Sequence, residues 1–365
     1  MEPAGPLLKG YHDYEEIVSQ SPAEVTAEPL TDENLAAELF YTSGTTGHPK
    51  GVILSHRTLY LHALNVIASL RFMDEDNLLH VVPLFHVNGW GTPHTLTAVG
   101  GKHVMLRKIV PPDILRLIQE ERITRIFAVP AVFIALLACP QREAYDLSTL
   151  KQAFIGGAPS SLTLITRIEE AFGCRAIVGY GLTETSPVIS YACPKDNMRD
   201  WQVSQRRAYQ VRTGTEIIGT QIRVLNHKGE DVASNDEEVG EIAIRSNVVM
   251  TGYYKDPEAT QKAIRDGWFY SGDLATINQE GCLRIVDRSK DIIISGGENI
   301  SSAEVENALY SHPAVLECAV IGVPDEQWGE VPVAMVVCKP GTQTTEAELI
   351  QHVHGQLAHF KCPKT

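Results

Sequence analysis

The chain has 365 residues, 44% of them hydrophobic and 21% charged, with a formal net charge of -14. That length supports a sizeable core and two or three units of ~150 residues each. The acidic balance excludes nucleic acid as a partner, which would need a basic face, and no run approaches the ~18 unbroken apolar residues of a membrane helix. The opening Met1-Glu2-Pro3-Ala4-Gly5 lacks the basic and apolar regions of a signal peptide. The seven cysteines (139, 174, 193, 282, 318, 338, 362) are dispersed, with no Cys-x-x-Cys. Such a set suits a reducing compartment, and a cytoplasmic location is expected.

Leu39–Tyr41 is apolar and strand-like, and Ser55–Leu70 reads as a helix with Ser55 as N-cap and Leu59, Leu61, Leu64 and Ile67 on its apolar positions. Between them, Tyr41–Val52 packs four Ser/Thr hydroxyls, three glycines and one lysine into a short loop. Glycines let the backbone approach an oxyanion, hydroxyls and N–H groups donate, and the lysine offsets charge. A strand–loop–helix of this kind is a nucleotide site by default. It is not a Walker loop, because His48-Pro49 intervene and Gly51 follows Lys50.

Strands then alternate with helices. The strands are expected at Leu78–Val82, His103–Leu106, Arg125–Val129, Gln152–Ile155 and Ala176–Val178. The helices are expected near Asn88–Ala98, Pro112–Glu121, Ala131–Ala138 and Ser161–Phe172. The fold class is α/β with a mostly parallel doubly wound sheet. From Gly219 the rhythm changes: Gln221–Leu225, Gly240–Ile244 and Cys282–Val286 form a small β-rich subdomain, about 215–286. From Asp287 a small α+β domain follows, with strands Asp291–Ser295, Val315–Val323 and Val331–Cys338 and helices Ser302–Tyr310 and Thr345–His354. The expected division is a large domain over 1–286 and a small one over 287–365.

Five further clusters carry chemistry, each beside a plainer reading. Tyr180-Gly181-Leu182-Thr183-Glu184-Thr185 follows a parallel strand, where open α/β sheets bind ligands. A hydroxyl beside a carboxylate suits phosphate with Mg²⁺, or a capped turn. Gly156-Gly157-Ala158-Pro159 leaves a flat slot for a planar ring, or forms a strand-to-helix turn. In Trp268–Leu274, Asp273 sits behind a tight turn and can accept from ribose hydroxyls. Asp287–Asp291 and Gly296-Gly297-Glu298-Asn299 read as a charged surface and a turn, or as a joint between domains. Pro83–Trp90 is a strand end rich in aromatics, with His86 and Trp90 as candidate pocket residues or simple packing.

Taken in this order, the motifs resemble those of the adenylate-forming superfamily, from about Leu39 to Lys361, and within it the acyl-CoA synthetases. The resemblance implies ATP-dependent activation of a carboxylic acid, a fatty acid of short to medium chain or longer, to an acyl-adenylate, then transfer to CoA. It implies that Thr42, Ser43, Gly44, Thr45, Thr46, Gly47 and Lys50 form the phosphate loop. Thr183 would hold the α-phosphate, and Glu184, with Thr42 close by, would hold Mg²⁺. Gly157, Ala158, Pro159, Gly179, Tyr180 and Gly181 would frame adenine, and Asp273 and Arg288 the ribose. Gly296, Gly297 and Glu298 would line the way in for the pantetheine arm. His86 and Trp90 would border the acyl pocket, and a hinge would map to Lys290. On a chain of net charge -14, ATP must be held by local positive groups.

The resemblance also implies a longer chain, with opening β/α units before the phosphate loop and a Gly-Lys motif beyond Lys364. A fragment cut at both ends is therefore expected, impaired in adenylation. An unpaired strand edge is expected too, favouring association, for instance as a homodimer. A carrier-protein acceptor and a nucleotide-binding remnant without catalysis are the alternatives. Acyl chain length is beyond this sequence.

Overall fold

The computed structural model describes residues 12–21, 29–42, 49–289 and 291–365. After the short helix α1 (Tyr14–Gln20), strands β1 (Ala36–Thr42) and β2 (Lys50–Ser55) pair antiparallel with Thr42 opposite Lys50. This corrects the expected strand–loop–helix: a second strand stands between the loop and the helix. Its cause is the apolar run Val52–Leu54, whose Val52 and Leu54 are buried. Ser55 ends β2 and caps α2 (His56–Leu70), its hydroxyl accepting from the Thr58 N–H.

Next comes β3 (Asn77–His80), and here the expected helix over Asn88–Ala98 breaks. α3 (Val87–Trp90) is a single left-handed turn, with φ of 45, 48, 56 and 60°. Right-handed α4 (Thr92–Val99) starts only after Gly91. A Cβ on Gly91 would lie 2.7 Å from the His62 ring, so the crossing demands glycine.

β4 (Lys102–Met105), α5 (Pro111–Glu120), β5 (Arg125–Ala128), α6 (Pro130–Ala138), β6 (Gln152–Ile155), α7 (Leu162–Phe172) and β7 (Arg175–Gly181) then alternate. Their strands stand side by side in the order β4-β3-β5-β6-β7, all parallel. β8 (Val188–Tyr191) and, after α8 (Val203–Gln210), β9 (Thr215–Glu216) extend the sheet antiparallel. Successive strand residues face opposite sides. Ile126, Ala128, Ala153, Ile155, Ala176 and Val178 pack with Ile114, Phe133 and Ile165 of α5, α6 and α7. Phe127, Phe154 and Ile177 pack with Val66, Leu70 and Leu96 of α2 and α4. Two covered faces make the sheet doubly wound.

The β-rich part comprises β10 (Thr220–Leu225), β11 (Gly240–Ser246), β12 (Gly252–Tyr253), α9 (Pro257–Ala263), β13 (Ile264–Arg265), β14 (Trp268–Ile277) and β15 (Leu283–Arg288). Its sheet runs β10-β11-β14-β13, with β15 also on β14. β12 leaves it to join the hairpin, Tyr253 opposite Val52.

The C-terminal part holds β16 (Ile293–Ser295), β17 (Glu298–Ile300), α10 (Ser302–Tyr310), β18 (Val315–Asp325), β19 (Gly329–Cys338) and α11 (Glu346–His354), in sheet order β17-β16-β19-β18. Asp287 at the end of β15 reaches into it. Its Oδ2 accepts from the Ser302 N–H at 2.6 Å, the Ser302 hydroxyl at 2.8 Å and the Ala303 N–H at 3.4 Å, while the Ser301 hydroxyl donates to the Val286 carbonyl at 2.8 Å. No helix among the described residues is long and apolar enough to cross a membrane.

Candidate active site

β7 runs to its carboxyl end and delivers Tyr180 there. The Tyr180 hydroxyl donates to Asp273 Oδ2 at 2.5 Å. Asp273 does not stand behind a turn, as expected, but inside the long strand β14. Gly272 before it has φ 75°, and residues 271–273 fall out of the pairing with β11, where Tyr270 faces Ala243 and Leu274 faces Glu241. Arg288, directly opposite on β15, brings Nε to 3.3 Å from Asp273 Oδ1. The carboxylate is buried while the guanidinium is half in solvent. Burial lifts the Asp273 carboxyl above its usual range, against the opposing pull of Tyr180 and Arg288. Burial, then the Asp273 charge, pushes Tyr180 well above the ordinary phenol range, so it stays a donor.

Three and four residues beyond Tyr180, Thr183 and Glu184 lie in a short 3₁₀ turn, both partly buried. Glu184 Oε1 accepts the Tyr253 hydroxyl at 2.8 Å, and its carbonyl accepts the Met250 N–H at 2.8 Å. The Lys50 ammonium stands 5.0 Å from the centre of the Tyr253 ring. The Thr42 hydroxyl donates to the Lys50 carbonyl at 3.4 Å. Among the described residues no basic side chain pairs with the Glu184 carboxylate, and no three His, Cys, Asp or Glu side chains gather to hold a metal. One hard-oxygen carboxylate fits Mg²⁺, which keeps waters and takes most other ligands from substrate phosphates.

The small residues have their own structural reasons. A Cβ on Gly179 would sit 2.0 Å from the Phe154 ring, and one on Gly181 1.9 Å from the Pro187 carbonyl oxygen. Gly156 and Gly157 lie under the Trp90 indole, at 3.2 and 3.4 Å from their would-be Cβ atoms. The expected slot is therefore walled on one side by Trp90, with Ala158 and Pro159 exposed beyond it. His86 is exposed just before the left-handed turn. Gly296 and Gly297, with φ of 61 and 85°, make a two-residue hairpin turn between β16 and β17, a geometry that selects glycine. Trp328 packs on Gly296, and Glu298 is exposed. Ser43, Gly44, Thr45, Thr46, Gly47 and Lys290 lie outside the described residues.

Two features escaped sequence reasoning. Tyr253 reaches Glu184 only because β12 crosses to β2, far away in the chain. Glu38 joins Asn88 and His94, Oε1 accepting from Asn88 Nδ2 at 2.7 Å and lying 3.0 Å from His94 Nε2. That cluster tethers the left-handed turn that carries Trp90. A separate cavity of about 390 Å³, lined by Arg71, Gln152, Arg175 and Tyr191, opens where β6 and β7 begin, at the other end of the sheet, and holds none of these motifs.

A family model described as AMP-binding enzyme matches residues 5–254, and one described as AMP-binding enzyme C-terminal domain matches 304–365. The trans-cinnamate:CoA ligase of Petunia hybrida is 37% identical over 355 residues, covering 96% of this chain and 62% of the relative. The long-chain-fatty-acid–CoA ligase of Thermus thermophilus is 37% identical over 350 residues, covering 94% and 63%. The chain thus spans about three-fifths of the length of these curated relatives. Among solved structures, the o-succinylbenzoate coenzyme A synthetase of Bacillus subtilis in complex with AMP superposes with a TM-score of 0.83 at 30% identity, covering 97% of this chain and 69% of that one. With its motifs, sheet order and both family matches in agreement, the chain belongs to the family of AMP-binding, adenylate-forming enzymes.

Proposed function

We propose that the chain activates a carboxylic acid, a fatty acid of short to medium chain or longer, with ATP and passes the acyl group to the thiol of CoA. The observation that carries this reading is the convergence of side chains from separate segments at the carboxyl end of β7. Asp273 is tied to Tyr180 and Arg288, and Glu184 is tied to Tyr253 with Lys50 beside it. The kinship with enzymes named as CoA ligases supports it further.

In the first step a carboxylate oxygen attacks the α-phosphorus of ATP and pyrophosphate leaves. In the second the CoA sulfur attacks the acyl carbon and AMP leaves. Both steps gather charge on oxygens, so fixed dipoles and cations carry the rate. Asp273, beside the Arg288 guanidinium, would accept from the ribose hydroxyls. Gly157, Ala158 and Tyr180 would flank adenine against the Trp90 side of the slot. Thr183 would donate to the α-phosphate, and Ser43, Thr45, Thr46 and Lys50 would hold the outer phosphates. Glu184, with Thr42 near it, would hold Mg²⁺, which when bound neutralises phosphate charge. His86 and Trp90 would border the acyl group. Gly296–Glu298 would line the entry of the thiol arm, and the small domain beyond Lys290 would turn as a unit about that residue.

The test is carboxylate-dependent ATP–pyrophosphate exchange over short, medium, long-chain and aryl acids, run on the 365-residue chain and on its full reading frame. Exchange with at least one acid, followed by acyl transfer only when free CoA is added, is the expected result. Exchange without transfer to CoA would point to a carrier-protein acceptor. ATP binding with no exchange in either form would leave a nucleotide-binding protein without catalysis. Full turnover by the 365-residue chain would remove the expected impairment.

A further inference from the structure

Tyr253 belongs to none of the recognised motifs, yet it touches two of them. Its backbone is fixed on both sides: it pairs with Val52 of β2, and its N–H donates to the Thr260 hydroxyl of α9 at 2.8 Å. Its ring packs partly buried against the core that joins β2, β11 and β14. The two remaining parts of the side chain face the site. The hydroxyl donates to Glu184 Oε1 at 2.8 Å, and the ring face lies 5.0 Å from the Lys50 ammonium.

Against a carboxylate oxygen, the phenol hydroxyl is the donor of the pair. A donor occupies one lone pair of one oxygen. It fixes the carboxylate's orientation and leaves Oε2 without a partner among the described residues. Carboxylates that ligate metals are commonly held this way, and loss of the outer partner typically costs 10–100-fold in metal affinity. The ring acts separately, because a cation over an aromatic face is attracted by the ring quadrupole. One side chain thereby sets the direction of an acidic ligand and parks a basic one at the base of the phosphate loop.

We infer that Tyr253 is a positioning residue that orients Glu184 toward the metal of metal–ATP through its hydroxyl and steadies Lys50 through its ring. This rests on the reading of Glu184 as the metal ligand. Mn²⁺ serves as the probe, its binding to protein and ATP followed by electron paramagnetic resonance with no acid or CoA present. Metal-free ATP affinity is measured alongside by calorimetry.

Tyr253→Phe keeps the ring and removes the hydroxyl. It should weaken Mn²⁺ binding about 10-fold while leaving metal-free ATP affinity unchanged. Tyr253→Leu removes both and should also weaken metal-free ATP binding. Glu184→Gln separates the two levels of the argument. If it leaves Mn²⁺ binding intact, the reading of Glu184 fails. If it abolishes Mn²⁺ binding while Tyr253→Phe matches the parent protein, only the role of Tyr253 is overturned. Equal losses of Mn²⁺ and of metal-free ATP binding in Tyr253→Phe would reduce Tyr253 to general packing and also overturn it.

Discussion

Asp273 shows how a single carboxylate sets binding against stability. Burial raises its pKa above the unfolded value of 3.8 although Tyr180 and Arg288 pull the other way. A carboxyl with a raised folded pKa contributes stability that is fully present below the unfolded pKa and lost as pH rises through the folded pKa. At neutral pH the ionised group therefore costs stability. Asp273→Asn keeps an acceptor for the Tyr180 hydroxyl and removes the charge. It should leave the unfolding temperature unchanged or raise it, while ATP binding falls about 10-fold for want of a charged acceptor. Thermal unfolding beside an ATP titration checks both halves, and a lower unfolding temperature would contradict the burial argument. The sequence picks out Asp273 as an acidic residue in a Gly-containing run. It cannot show that the residue lies in a strand, because the bulge of β14 at 271–273 depends on its pairing with β11, outside the motif.

Among the elements, the parallel sheet was the most legible part. Gln152–Ile155 is the strand expected, and α7 begins after the Ser161 cap, whose hydroxyl accepts from the Leu164 N–H. Short apolar runs between amphipathic helices leave few other arrangements. The hairpin β1–β2 and the left-handed turn at Val87–Trp90 were not legible. The first needs the distant β12 to cover β2, and the second needs Glu38 and His94 to hold Asn88. Some glycines of the motifs also have packing reasons that the sequence did not show. Gly179 faces Phe154, whose ring stacks on Phe127 with centroids 4.7 Å apart. Gly179→Ala should destabilise the fold by ~1–3 kcal/mol by overpacking that stack. Urea unfolding reads this directly, and a neutral result would mean that the aromatic layer can shift.

For the whole molecule, two buried histidines set the response to acid. Burial holds His62 at about 3 and His80 at about 4, each below the ordinary imidazole value of 6.5. Lesser contributions come from His94 on the first and His103 on the second. The unfolded chain then binds more protons than the fold between those values and 6.5. Stability is full above pH 6.5 and declines as pH falls toward the folded values. From pH 6.5 to 5 each histidine should remove ~2 kcal/mol, at ~1.4 kcal/mol per pH unit. His62→Gln, which can still accept from the Val188 N–H, should flatten the curve by one histidine's share in urea unfolding at both pH values.

The tie between Asp287 and the start of α10 has a mechanical consequence. Ser302 N–H, the Ser302 hydroxyl, Ala303 N–H and the Ser301 hydroxyl all bond to the Val286-Asp287 end of β15. They lie on adjacent residues and are loaded side by side, not one after another as in a zipper. A torque on the C-terminal part is shared among them until all give way together. Separation at this joint is then a single abrupt event with a threshold, and below that threshold helix α10 moves as if welded to the sheet that holds Asp273 and Arg288.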